Sequence, residues 1–246
     1  MTQAQPQIPA TASRLARFLA ELVGAEAPVP HQHFTERLGQ LFDLPDSIRI
    51  STVLGSRAVS PPEQPTISRE DVKAEFLRSR TAIISSALGS FSPGGGTLRL
   101  RFPGITTREL FEEAIAGGAL LAFYRAQQRD IDFRVRNLQA VTRDALAGFS
   151  PRLAQLAALD ASLAEPLSAH NRQFFSSVCD LLQKRIEFLL DDYRAATTGS
   201  PPDDQTWREI LARLRTEMQG LLLAEIETRL LPALGLIEAL DEHEDE

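Results

Sequence analysis

Few side chains of this chain are of the kinds that perform chemistry, and they are scattered. His31 and His33 flank Gln32 just after Pro30. Two imidazoles at i and i+2 suit one side of a metal site in an extended segment, but a metal needs more ligands than two, and no second His, Cys or carboxylate cluster declares itself nearby. They read as a loop pair without a metal. The single cysteine, Cys179, cannot form an internal disulfide. It follows Ser176 and Ser177 and precedes Asp180, with nothing basic adjoining to lower its pKa, so it reads as an inert, partly buried thiol. His170 has the chemistry to titrate near physiological pH, but it sits on an apolar stripe and reads as a core or rim histidine bonded to a neighbour. The paired carboxylates Glu112 and Glu113, Asp191 and Asp192, and Asp203 and Asp204 are sequence neighbours. Neighbours on a helix point about 100° apart, so no pair converges on one reacting atom. These residues imply no catalytic group, no metal site and no cofactor.

Two longer features have functional readings as well. The run GSFSPGGGTLRLRF contains Gly94, Gly95 and Gly96, and backbone amides of such a loop can cradle a phosphate when a strand precedes it and a helix follows. Neither is clear here, and no Gly-Lys-Ser/Thr follows, so an interhelical loop is the favoured reading. Between Arg125 and Arg152, six arginines (125, 129, 134, 136, 143 and 152) face Asp130, Asp132 and Asp144. A local excess of positive charge suits nucleic acid, but the arginines do not share a helical face and the chain carries a net charge of -7. A salt-bridged helical surface, with no nucleic-acid partner, is expected.

The elements that must carry these residues are helical. Leu and Ala supply most of the apolar content and aromatics are only 7%, a balance that favours helices over sheets. From Pro151 to Ala196 a stripe of Leu156, Leu159, Leu163, Leu167, His170, Phe174, Val178, Leu182, Ile186, Leu189 and Tyr193 advances 37 residues in ten steps. This is the helical period rather than the tighter coiled-coil repeat, and it predicts the buried face of long helices, kinked or interrupted at Pro166. The fold class is all-α: a bundle of long amphipathic helices with a small N-terminal helical segment.

In chain order, a first helix follows Thr11 or Ser13 with Leu15, Phe18, Leu19 and Leu22 on its apolar face, and a second fits Phe34 to Leu44. DSIRISTVLGS is read as helix because no partner strand follows at hairpin spacing. The Pro- and Ser-rich text from Ser56 to Thr66 is a linker, giving an N-terminal segment over 1–54, a linker over 55–67, a main bundle over 68–240 and an acidic tail over 241–246. Ser68 with Asp71 resembles a capping box opening a helix to about Leu88, and Thr106 with Glu109 opens one that extends to Ala147 through Gly117 and Gly118. A last helix from Thr206 carries Trp207, Leu211, Leu214, Met218, Leu222, Ile226, Leu230, Leu234 and Ile237. From Asp203 onward four arginines stand against twelve acidic residues, so the net acidity belongs to the C-terminal segment and suits a solvated end. The start lacks a basic, then apolar leader, and Glu225, Glu227, Arg229 and Pro232 interrupt the most apolar stretch. A cytoplasmic chain without membrane insertion is the expectation.

The run RDALAGFSPRLAQLAALDASLAEPLSAHNRQFFSSVCDLLQKRIEFLL, with an LAALD box at Leu156 to Asp160 and a helix ending in KRIEFL, resembles an uncharacterised proteobacterial family, a domain of unknown function. FYRAQQRDI at Phe123 to Ile131 and FTERLGQLFDL near the N-terminus agree with it, whereas Phe42 and Leu44 stand where the family pattern would place a tryptophan. The resemblance implies an accessory role, since such family members are often encoded beside OmpA/MotB-like and MotA/ExbB-like envelope proteins. It implies no catalytic residue.

Together these readings point to a non-enzymatic scaffold or adaptor that binds another protein and is a possible homodimer. The partner surface is expected on the final helix, at Leu222, Ile226, Leu230, Leu234 and Ile237, because LLLAEIETRLLPALGLIEAL holds more apolar surface than one face needs. The alternative is a regulatory module binding a small molecule or nucleotide, with Gly94–Gly96 as a lid.

Overall fold

The computed structural model of the 246-residue chain describes residues 14–23, 44–55, 67–92, 100–105, 112, 118–196 and 204–242. Six helices account for 91% of these residues and no strand occurs among them, so the fold is all-α. They are α1 (Arg14–Val23), α2 (Leu44–Gly55), α3 (Arg69–Gly89), α4 (Ala119–Ala147), α5 (Pro151–Ala196) and α6 (Asp204–Glu242). The linker text at 56–66, residues 34–43 of the helix read over Phe34 to Leu44, His31, His33, the glycine run, the Thr106–Glu109 box and residues 243–246 lie outside the described residues.

The helix ends follow from local chemistry. Ser68 caps α3: its hydroxyl oxygen accepts from the Asp71 amide at 3.1 Å while its hydroxyl donates to the Asp71 carboxylate at 2.9 Å. Ser150 caps α5 in the same way, accepting from the Leu153 amide at 3.1 Å, with Pro151 in the first turn, where its missing amide hydrogen is no loss. DSIRISTVLG is helical within α2, and Pro45 occupies its first turn. Two expectations are corrected. Pro166 does not interrupt α5, which is one 46-residue helix; the proline removes a single backbone bond, and most of the surrounding turns are solvent-facing, so the displaced carbonyl has room. Nor does a helix run through Gly118, whose φ of 65° is left-handed backbone that glycine adopts without a Cβ penalty; α4 starts after it, at Ala119.

The chain forms two compact units, each built from three stretches: 1–29, 84–131 and 175–228 in the first, and 30–83, 132–174 and 229–246 in the second. The core of the first gathers Leu120, Phe123, Val178, Leu182, Ile186, Leu214, Met218, Leu221, Leu222 and Ile226. Its aromatic corner, Phe91, Phe102 and Phe123, has ring centroids 5.1–5.5 Å apart, with both Phe123 pairs near edge-to-face. The Arg215 guanidinium lies 4.7 Å from the centroid of the Phe102 ring. α1 approaches α6 so closely that a Cβ on Gly220 would stand 2.6 Å from Phe18 Cζ. The core of the second gathers Val72, Phe76, Ile83, Val135, Leu138, Leu146, Leu153, Ala157, Leu230 and Leu236.

The stripe of α5 is buried only in part. Val178, Leu182, Ile186 and Leu189 are core residues as expected, but toward the N-terminus the buried positions are Leu153 and Ala157. No residue from Ala158 to Phe174 is buried, and His170 and Phe174 are exposed. The expected core or rim placement of His170 is therefore corrected: its side chain is exposed, and the leucines of this stretch are at most partly covered.

Candidate functional site

Two features of the described residues have the chemistry of a site. The first is a buried polar network in the first unit. Glu225 and Tyr124 are 0% exposed, and Gln128 and Cys179 are also buried. Tyr124 Oη donates to Glu225 Oε1 at 2.7 Å, and Gln128 Nε2 donates to Glu225 Oε1 and Oε2 at 2.9 and 3.0 Å. The same Nε2 reaches the Phe175 carbonyl at 2.9 Å, while Gln128 Oε1 accepts from the Cys179 thiol at 3.2 Å. α4 places Tyr124 and Gln128 one turn apart on one face, α5 brings Phe175 and Cys179, and α6 brings the carboxylate. Burial alone costs a polar group several kcal/mol unless it is hydrogen-bonded, and here the bonds are made.

Chemically the network is closed. Burial pushes the Cys179 thiol up to about 11, the Glu225 charge adds to the rise, and Arg125 opposes it. At neutral pH the sulfur is therefore a thiol and not a nucleophile, in agreement with the inert thiol read from sequence. The network orients three helices and presents no reacting atom to water. Glu225 escapes a reading of the sequence, in which the carboxylates are solvated; the available signal is its position on the α6 stripe, one turn from Leu221, Leu222 and Arg229.

Toward the surface, ion pairs replace this network. Arg185 grips Glu217 with two bonds, 2.7 and 2.9 Å, and Arg213 adds a third at 2.9 Å. Burial pushes Glu217 upward, but the hydrogen bonds and charges of Arg185 and Arg213 outweigh it, and its carboxyl is held below the ordinary value of 4.5. An unfolded chain then takes up the Glu217 proton at a higher pH than the folded one. The stabilisation is complete above 4.5 and drains away as pH falls through the folded value. Acid titration of urea midpoints is expected to show this as a fall below 4.5 that is shallower in Arg185→Met; equal slopes would remove Glu217 from the acid response.

Of the arginine-rich stretch, Arg136 pairs with Asp132 at 2.5 Å, Arg143 with Asp160 at 3.1 Å, and Asp132 also receives Arg229 at 3.1 Å. Among the described residues no group of three or more His, Cys, Asp or Glu is placed to hold a metal ion, and no helix is long and apolar enough to cross a membrane.

The second feature is a groove of about 210 Å³ in the second unit, lined by Glu75, Ser79, Ala82 and Ile83 of α3 and by Phe133, Arg134, Asn137, Leu138 and Val141 of α4. Phe133 and Val141 are two turns apart on one face of α4 and are 69% and 47% exposed. Helical spacing alone gives no signal for this groove, because it depends on where α3 ends up beside α4. The surface expected from sequence lies elsewhere. Leu222, Ile226, Leu230 and Ile237 are packed in the chain's own core, and Leu234, at 38% exposure, is the one of the five that reaches the surface, beside exposed Leu231.

No curated protein and no solved structure matches the chain. A family model described as a protein of unknown function, DUF3348, matches residues 1–242. That match spans both compact units and nearly the whole sequence, and the chain belongs to the DUF3348 family.

Proposed function

We propose that the chain is a non-enzymatic helical scaffold or adaptor that binds another protein in the α3–α4 groove. The observation that carries this reading is Phe133, a phenyl ring left 69% in water at the edge of an apolar-floored groove. Burying a side chain of this size gains about 1.5–3 kcal/mol, which makes it suited to anchor an amphipathic helix laid between α3 and α4. Arg134 and Glu75 line the same groove and give a partner helix polar groups to register against. The exposed Leu231 and Leu234 of α6 are a secondary contact in this reading. The resemblance of residues 123–131 and 143–190 to an uncharacterised proteobacterial family supports a cytoplasmic accessory of an envelope-associated assembly, with the cytoplasmic part of an envelope protein as the partner.

The test is differential capture. Tagged full-length wild type and Phe133→Ser are used as bait in lysate of the source cells, with thermal melting to check that the variant folds. A protein retained by wild type and lost with Phe133→Ser, at an unchanged melting temperature, supports the reading. Identical retained sets overturn it.

A further inference from the structure

The two sides of the α3–α4 groove in the second unit are unlike. The α4 side is a ridge, where Phe133 and Val141 stand in water. The α3 side is a trough, where Ser79 and the exposed Ala82 are small side chains beside the buried floor of Ile83 and Leu138. The two helices run antiparallel here, because the Arg69 guanidinium at the start of α3 lies 5.7 Å from the centroid of the Phe149 ring, just past the end of α4. Phe133 and Arg134 therefore mark one end of the groove, beside Ala82, and Val141 and Glu75 mark the other. The ends are about 12 Å apart, with Ser79 and Asn137 midway.

We propose that this face is the contact surface of an isologous dimer, with a second copy of the chain as its occupant. Two observations carry the inference. The first is shape: a two-fold axis standing on the groove between Ser79 and Asn137 exchanges its ends and its sides together, which lays the α4 ridge of each copy along the α3 trough of the other. Val141 then lies over the other copy's Ala82, and Phe133 over the turn from Glu75 to Ser79. The second is charge. The same rotation brings Arg134 of each copy to Glu75 of the other, so one favourable contact is made twice, as a two-fold interface requires. Glu75 already pairs with Arg78 at 2.7 Å, both being exposed, and accepts from Ser79 at 3.1 Å; a carboxylate has about four acceptor sites and a guanidinium five donors, so the new contact adds to those within each chain. The inference rests on the proposed function only in taking the same groove as a docking surface. It adds that self-association and capture of another protein compete there.

Charge reversal tests the two-fold arrangement. In light scattering behind size exclusion, over a concentration series up to about 1 mM, the purified full chain is expected to move from 27.1 kDa toward twice that mass. Phe133→Ser is expected to remain a monomer at an unchanged melting temperature. Glu75→Arg and Arg134→Glu each set like charges against each other at both contacts, and dimer formation is expected to weaken about tenfold in either. An equimolar mixture of these two variants has opposite charges at both contacts of its heterodimer and is expected to dimerise about as strongly as wild type. Effects of either substitution within its own chain are the same in the mixture as alone, so they cannot produce this rescue. A wild type that stays at 27.1 kDa throughout the series overturns the dimer, as does a mixture whose mass is the average of its two components, or a dimer untouched by Phe133→Ser. Because no lysate is present, the two readings fail separately: a partner captured by a monomeric chain leaves the proposed function standing without the dimer, and a dimer that captures no partner does the reverse.

Discussion

Gln128→Leu is expected to be among the most destabilising single changes in the chain, lowering unfolding free energy by about 3–5 kcal/mol, because several buried groups lose a hydrogen bond at once, at about 1–3 kcal/mol for each and more for a carboxylate. Leucine has nearly the volume of glutamine, so the loss is not a cavity. It comes from the Glu225 oxygens, the Phe175 carbonyl and the Cys179 thiol, each of which loses its bond to Gln128 while staying out of water. The control is the double change Gln128→Leu with Glu225→Leu, which removes the carboxylate that was left short of a donor. It is expected to be less destabilised than the sum of the single changes, by about 1 kcal/mol or more on the scale of about 0.5–3 kcal/mol typical of coupled neighbours. Urea denaturation of the four proteins measures this directly. Strict additivity would mean that the hydrogen bonds do not couple α4 to α6.

Ile226→Ala has the second-largest expected effect, a loss of about 2–5 kcal/mol for truncating a fully buried aliphatic side chain. The same experiment decides between two roles for this residue. As a partner-facing anchor, Ile226 would be dispensable to the isolated chain, and its truncation would leave the urea midpoint in place. As a core residue of the first unit, it shifts the midpoint strongly. Leu234→Ala, on the surface face of α6, is expected to cost well under about 1 kcal/mol, as surface changes generally do. A large loss at Leu234 with none at Ile226 would reverse the inside and outside of the helix.

That contrast shows what the sequence discloses and what it withholds. Residues sharing a helical face are legible from spacing, which is why Val178, Leu182, Ile186 and Leu189, or Leu214, Met218 and Leu222, are core in both readings. What covers a face is not a property of that face. In the middle of α5, Leu159, Leu163, Leu167 and Phe174 continue the same stripe, yet none is buried. At α6 the surplus of leucine reads as surface for a partner, and the fold places most of it inside the chain.

The polar network is hidden for a related reason. Tyr124 and Glu225 are 101 residues apart, and no local pattern distinguishes a carboxylate that meets a tyrosine and a glutamine from one that meets water. The Ser68 and Ser150 caps, in contrast, are decided within a single turn of chain, and the Ser68 cap is readable at once. The motif FYRAQQRDI gains a physical meaning only with the fold in place: Tyr124 and Gln128 hold Glu225, and Gln127 bonds the Leu100 carbonyl.

The state of Cys179 makes the chain convenient for spectroscopy. Its one sulfur is shielded and stays protonated through the neutral range, so maleimide and iodoacetamide reagents, which need a thiolate within reach, have no native target while the protein is folded. A cysteine introduced on the outer face of α2 or at the rim of the α3–α4 groove would carry a fluorophore or spin label alone, without removal of the natural residue from its place beside Gln128. Distances and mobilities measured from such labels would then report on those two surfaces and on nothing else in the molecule.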